Sequence, residues 1–166
     1  MRDRKQKDAP SEQNSTMKIG VLSDTHGHLG QNIIEALTYT DLILHAGDID
    51  GPEVLQTLRK IGKVLPVRGN MDYGAWAHDM PREEFVDLGG IIVYMIHDVN
   101  HISLNPAAAD IRIVVSGHTH QPGIMKKNGV LYLNPGSASF PRGGYTASIA
   151  LIEINGAHIA CRHIEV

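Results

Sequence analysis

Lys18-Ile19-Gly20-Val21-Leu22-Ser23-Asp24-Thr25-His26 is a short apolar run that stops abruptly on a carboxylate and an imidazole. A run of this length bounded by turn residues reads as a buried strand. Two later runs repeat the design: Asp41-Leu42-Ile43-Leu44-His45-Ala46 leads into Gly47-Asp48, and Lys63 to Val67 leads into Arg68-Gly69-Asn70. Between them the period changes to that of a helix. Ile33, Ile34 and Leu37 share one face of residues 32–39; Val54, Leu55, Leu58 and Ile61 form the stripe of a helix that Pro52 opens and Gly62 ends. The order β-α-β-α-β calls for a largely parallel sheet with right-handed crossovers. Ligands of such sheets bind beyond the carboxyl ends of the strands. Asp24, Asp48 and Asn70 each follow such an end, so the topology is expected to gather them.

The second half of the chain carries strands at residues 84–88, 90–96, 111–116, 124–126, 130–133, 146–154 and 158–164. Gly89-Gly90, Asn128-Gly129 and Asn155-Gly156 serve as tight turns between several of them. Between His97 and Asp110 there is room only for a short segment, helical over Pro106 to Ala109. The fold class expected is α/β: a four-layer α/β/β/α sandwich of two packed mixed sheets with helices outside. Residues 1–16, of mixed charge and without a large apolar residue before Met17, read as a disordered tail; the folded domain is expected over 17–166.

A chain of 166 residues fits one domain, and a net charge of −3 gives no bulk attraction to nucleic acid or membrane. No apolar stretch approaches the roughly 20 residues of a membrane helix. The single Cys cannot form an intrachain disulfide, which fits a cytoplasmic protein. The turn SDTHGHLG after the first strand has neither G-x-G-x-x-G nor a P-loop lysine, which excludes those nucleotide-binding motifs.

The unusual count is ten His. Asp24 and His26 stand two apart, as do His118 and His120, and in extended backbone that spacing points both side chains of a pair to one side. With Asp48, Asn70 and His97 they make seven candidate ligands, a mixture of carboxylate, imidazole and amide without thiolate. Mn²⁺, Ni²⁺, Zn²⁺, Fe or Mg²⁺ suits such a set, and two side-by-side dications with only two anionic ligands would attract phosphate.

DTH at 24–26, GD at 47–48, GNMD at 69–72, His97, GHTH at 117–120 and NPGS at 134–137 together resemble the calcineurin-like metallophosphoesterase superfamily, in particular its small bacterial and archaeal phosphodiesterases. The resemblance implies that Asp24, His26, Asp48 and His120 hold one divalent ion, and Asn70, His97 and His118 the second, with Asp48 bridging. Manganese is the expected metal. A hydroxide shared by the ions would attack the phosphorus of a small phosphodiester. Nucleic acid enters only as a possible substrate, and a homo-oligomer is compatible. Two departures stand out. Met71 replaces the His that follows Gly-Asn in larger relatives, leaving Asp72 and His28 as candidate catalytic residues, or a metal-bound water, to assist the leaving group. Asp98 stands where relatives carry Gly, in a His-Gly-His motif.

Asn70, Asn134 and Arg142 are the candidate substrate-binding residues; a turn and an ordinary surface Arg are the plain readings of the last two. His45 is expected to orient its neighbours from the core. His78 and His101 are expected at the surface, His101 with the alternative of facing the cleft, and His158 and His163 in the terminal hairpin. Tyr73 and Trp76 either wall a pocket or cover a sheet edge. Two alternatives to a diesterase remain: a phosphomonoesterase, or a non-catalytic metal-binding scaffold such as the eukaryotic relative in the retromer coat.

Overall fold

In the computed structural model, which describes residues 15–166, the opening apolar run becomes β1 (Met17–Leu22), buried from Ile19 onward. It is followed by α1 (Gln31–Leu37), β2 (Leu42–His45), α2 (Pro52–Ile61) and β3 (Val64–Pro66). The three strands pair in parallel, as the β-α-β-α-β order requires. Pro52 occupies the start of α2, and Gly62 follows its end with an extended φ of −178°. The helix therefore stops without a left-handed cap, and the Gly62 N–H still bonds to Leu58 O at 3.1 Å. Of the tail expected over 1–16, only Ser15 and Thr16 fall within the described residues, and both are exposed.

The rest of the chain supplies β4 (Glu83–Asp87), β5 (Ile92–Ile96), β6 (Ile111–Val115), β7 (Gly123–Lys127), β8 (Val130–Asn134), β9 (Ser148–Asn155) and β10 (His158–Glu165). One sheet has the order β10-β9-β1-β2-β3, the other β4-β5-β6-β8-β7. Both are mixed: in the first, β1-β2-β3 run parallel out to the β3 edge while β10-β9-β1 are antiparallel; in the second, parallel pairs lie at the centre and antiparallel hairpins at both margins. Asn128-Gly129 forms the expected two-residue turn, both residues having positive φ (51° and 82°). The terminal hairpin turns one residue later than the Asn-Gly pair suggests. Asn155 pairs with His158, so Gly156-Ala157 are the loop, and only Gly156 takes positive φ.

Three apolar layers hold the sandwich. Ile19, Val21 and Leu44 of one sheet face Val93, Met95, Ile113 and Val115 of the other. The opposite face of the first sheet packs Leu22 and Ile43 against Leu37, Leu55 and Leu58 of the helices. The outer face of the second sheet, with Tyr94, Ile96 and Val114, is covered by Ile102 and Leu104. That cover is thin: a 3₁₀ turn at Val99–His101 and one further turn over residues 106–110. The helix expected over Pro106 to Ala109 is reduced to a single turn, closed by Ala109 N–H to Asn105 O at 3.1 Å. Asp110 then takes a left-handed φ of 59°, which ends any helix and sends the chain into β6. Among the described residues no helix is long and apolar enough to cross a membrane.

Ile113 is fully buried between the sheets. Ile113→Ala is expected to lower stability by about 2–5 kcal/mol in urea unfolding. A loss under about 1 kcal/mol would mean that the seam can collapse around the deletion and is not closely packed.

Candidate metal centre

The loops that leave β1, β2, β3, β5 and β6 meet over one edge of the sandwich. They are tied by backbone hydrogen bonds: Asp24 N–H to Gly47 O at 3.0 Å, His26 N–H to Asp48 O at 3.1 Å, and Gly117 N–H to His97 O at 2.9 Å. This lacing brings all seven candidate ligands into one cluster.

They do not converge through extended backbone. Asp24, His26, Asp48, His118 and His120 have φ of 54°, 45°, 52°, 69° and 59°. Left-handed conformations are costly for residues with a Cβ, and strain of this kind collects at functional sites. Alternation of left-handed and ordinary residues, rather than pleating, aims both members of each pair inward. Thr25 points away as expected and bonds to His45 and Ile49 O. Asp98 needs no left-handed turn: its φ is −116°, so replacing Gly there costs no backbone strain.

Two groups of ligand atoms form. In the first, His120 Nε2 lies 3.2 Å from Asp24 Oδ1 and 3.4 Å from His26 Nε2, which is 4.0 Å from Asp48 Oδ2. In the second, His97 Nε2 lies 3.3 Å from Asp48 Oδ2 and 3.2 Å from Asn70 Oδ1, which is 3.1 Å from His118 Nδ1. Asp48 Oδ2 belongs to both; its Oδ1 accepts from Met71 N–H at 2.8 Å. The first group is the more enclosed, whereas Asn70 and His118 are exposed.

The ring nitrogens facing away fix the tautomers. His120 Nδ1 meets Phe140 O at 2.6 Å and His97 Nδ1 meets Ala46 O at 2.7 Å. A carbonyl can only accept, so both Nδ1 atoms carry hydrogen and both Nε2 atoms are left to act as ligands. His118 is turned the other way, with Nε2 3.7 Å from Asp98 Oδ2. Asp98 thereby takes the place of a carboxylate partner behind an imidazole.

Asp24 Oδ1 is buried with no hydrogen-bond donor among the described residues. A buried carboxylate oxygen without a donor calls for a cation, so the set fits divalent ions: Asp24, His26 and His120 can hold one, and Asp24, Asp48 and His97 also lie within reach of a common ion. Burial pushes the Asp24 carboxyl above its ordinary range, beyond what Ser23 and the imidazoles offset. Burial also raises Asp48, but the His97 hydrogen bond, the Met71 N–H and the charges of His97 and His26 together bring it below the usual range. His45, driven down to about 3 mainly by burial, stays neutral. It accepts from Gly47 N–H at 3.2 Å and faces Thr25 Oγ1 at 3.0 Å, so it braces two ligand loops from the core as expected.

The other candidate residues stand as follows. Asp72 is buried and its oxygens accept from Ile49, Asp50 and Gly69 N–H at 2.7–2.8 Å, which makes it a strut between loops. His28 is exposed and lines neither cavity beside Asn70. Asn134 is spent on the GHTH loop, donating to Gly117 O and Thr119 Oγ1. Arg142 sits in an exposed turn and lines neither cavity. Tyr73 walls a cavity, while Trp76 packs on the helix side. His163, which no motif touches, reaches Asn134 O at 2.8 Å and supports the same loop. Gly69 and Gly117 are required by close approach: a Cβ on Gly69 would collide with Asp48, and one on Gly117 with Ser23 and Asp24.

Residues 17–157 match the calcineurin-like phosphoesterase superfamily domain, and the chain belongs to that superfamily. It is 36% identical over 140 residues to a probable metallophosphoesterase of Methanocaldococcus jannaschii, covering 76% of this chain and 71% of that protein. It is 27% identical over 157 residues to a phosphodiesterase of the same organism, covering 83% and 92%. Vps29 of Entamoeba histolytica, solved in complex with Zn²⁺, superposes with a TM-score of 0.72 at 22% identity, covering 90% of this chain and 99% of that one. This last likeness shows the fold alone.

Asp72→Ala strands three backbone donors, of which those of Ile49 and Gly69 are buried. The variant is expected to lose about 3 kcal/mol in thermal or urea unfolding, with Asp72→Asn losing less. Near-wild-type stability of both variants would show that solvent satisfies these loops.

Proposed function

We propose that this chain is a metal-dependent phosphodiesterase in which Asp24, His26, Asp48 and His120 hold one divalent ion and Asp48, Asn70, His97 and His118 a second. The observation that carries the reading is Asp48 Oδ2, which faces His26 Nε2 at 4.0 Å and His97 Nε2 at 3.3 Å and so belongs to both ligand groups. Divalent ions there supply a water-derived nucleophile near neutral pH and Lewis-acid neutralisation of phosphoryl charge. Manganese is the proposed metal; Ni²⁺, Zn²⁺, Fe and Mg²⁺ match the same donors.

The chain's own residues do the positioning. The hydrogen bonds of His97 and His120 to carbonyls fix their rings before any ligand binds. Exposed Asn70 and His118 turn the second group toward the cavities where a diester would lie. Apolar Met71, at the position of the proton-donating His of larger relatives, favours diesters over monoesters with poor leaving groups. The relative named as a phosphodiesterase supports the same class, and a small phosphodiester handled in the cytoplasm is the proposed substrate setting.

Chelator-stripped protein is expected to hydrolyse bis-p-nitrophenyl phosphate only after Mn²⁺ or another dication is restored, and faster than the monoester p-nitrophenyl phosphate. Asp48→Ala should reduce turnover to background while the fold persists. Metal binding without turnover of either ester would favour the scaffold reading, and a preference for the monoester would favour a phosphomonoesterase.

Asp98→Ala frees His118 Nε2. It is expected to weaken the more loosely held ion about 10–100-fold by calorimetric titration, with Asp98→Glu restoring part of the loss. Unchanged affinity in Asp98→Ala would remove Asp98 from the centre's support.

A further inference from the structure

Two cavities, of about 690 and 600 Å³, open beside the candidate metal centre, and Arg68, Gly69, Asn70 and Arg82 line both. The arginines therefore stand where the cavities meet, next to the exposed ligand Asn70. Their segments are held together by Arg68 N–H bonding to Pro81 O at 2.7 Å, which places the residue before Arg82 against the end of β3. Either cavity is large enough for a nucleotide-sized group.

Charge is the informative feature. Among the described residues, the ion pairs found all involve His, and no carboxylate lies within 4.0 Å of either guanidinium. Each cavity lining also carries two carboxylates, Asp72 and Asp79 in one and Glu83 and Asp98 in the other, which stay anionic but make their own contacts rather than pairing with the arginines. Asp72 accepts three backbone N–H groups, and Asp79 pairs with His78. Glu83 accepts the Tyr94 hydroxyl, and Asp98 accepts from Asn100. Arg68 is half-buried and Arg82 exposed, and among the described residues neither has an anionic partner within 4.0 Å. Guanidinium groups bind phosphate through paired, charge-assisted hydrogen bonds, a geometry that an ammonium cannot match. An additional anion is what two free arginines beside a phosphate-attracting centre would accept.

We propose that Arg68 and Arg82 form a subsite for a second phosphate carried by the same phosphodiester, on the arm that runs past Asn70. The substrate class is thus a diester bearing a further phosphomonoester, in preference to a diester with one negative charge. This rests on the phosphodiesterase reading above.

The test compares thymidine 5′-(p-nitrophenyl phosphate) with its 3′-phosphorylated counterpart, using Mn²⁺-loaded protein and the Arg68→Gln/Arg82→Gln variant, whose folding is checked by thermal melting. In the wild type the extra phosphate is expected to raise kcat/KM about tenfold, mostly through KM. In the variant the ratio should fall to about one. Calorimetry with thymidine 3′,5′-bisphosphate and thymidine 5′-monophosphate reads the same preference without turnover. Equal kcat/KM for the two diesters, or a preference that survives in a folded double variant, overturns the subsite and leaves the diesterase intact. Arginine-dependent preference for the bisphosphate in a protein that cleaves neither diester keeps the subsite and overturns the diesterase. Absence of both turnover and preference overturns both.

Discussion

The carboxylate of Asp48 is the joint on which the loop architecture turns. One oxygen receives the Met71 N–H and so holds the loop after β3; the other stands between His26 and His97, which come from β1 and β5. Such an anion, almost fully enclosed with Asp24 close by, is stable only if positive charge or donors surround it. The surrounding loops supply what they can: backbone donors from below and imidazoles from two sides. Asp24 Oδ1 shows where that supply ends. The same deficit that makes the cluster costly as a protein interior makes it fit for cations.

The cost is visible in the backbone. Five ligand residues adopt left-handed φ, and conformations of this kind persist only where surroundings over-determine them. Here the surroundings are a lattice of second contacts: His45 on the loops of Thr25 and Gly47, Asp72 on those of Ile49 and Gly69, and Asn134 with His163 on the GHTH loop. His45 and Asp72 both hold the segment that carries Asp48, and Asn134 holds the one that carries His118 and His120. Pre-organisation of the centre is therefore distributed through the polar residues beneath it.

The elements that place the site were legible because their signals are local. Buried runs ending on Asp24, Asp48 and Asn70, with helical periods between them, fix a parallel β-α-β-α-β unit, and that topology gathers the ligands whatever their sequence separation. What escaped the sequence was geometry that depends on partners. Residue spacing of two suggested pleated strands for Asp24/His26 and His118/His120, since nothing local distinguishes extended chain from alternating left-handed turns. Asp72 looked catalytic from its place in GNMD; only the arrival of three backbone donors from separate loops shows that its oxygens are occupied. Arg142 was a candidate for the bidentate geometry of its guanidinium, with a surface Arg as the plain alternative, whereas Arg68 and Arg82 meet at the cavities because a β3 end and the β4 approach are hydrogen-bonded across the fold. A directional signal was present for Asp98, as an acid in place of the family's Gly. Its use as the partner of His118 required the structure.

The fate of Asp72 and Met71 bears on the proposed chemistry. With Asp72 accepting three backbone donors, Met71 apolar and His28 outside the cavities, the titratable side chains left along the cavities beside Asn70 include Tyr73, His78 and His101. Electrostatic stabilisation at the phosphoryl group is the contribution the proposed centre itself would make. Binding energy from the remainder of the substrate becomes correspondingly important, because contacts remote from the bond being broken can be spent on positioning it. The two cavities and their shared arginines are where this chain has surface to offer for that purpose. A substrate anchored by a second phosphate would supply such remote binding energy through one group.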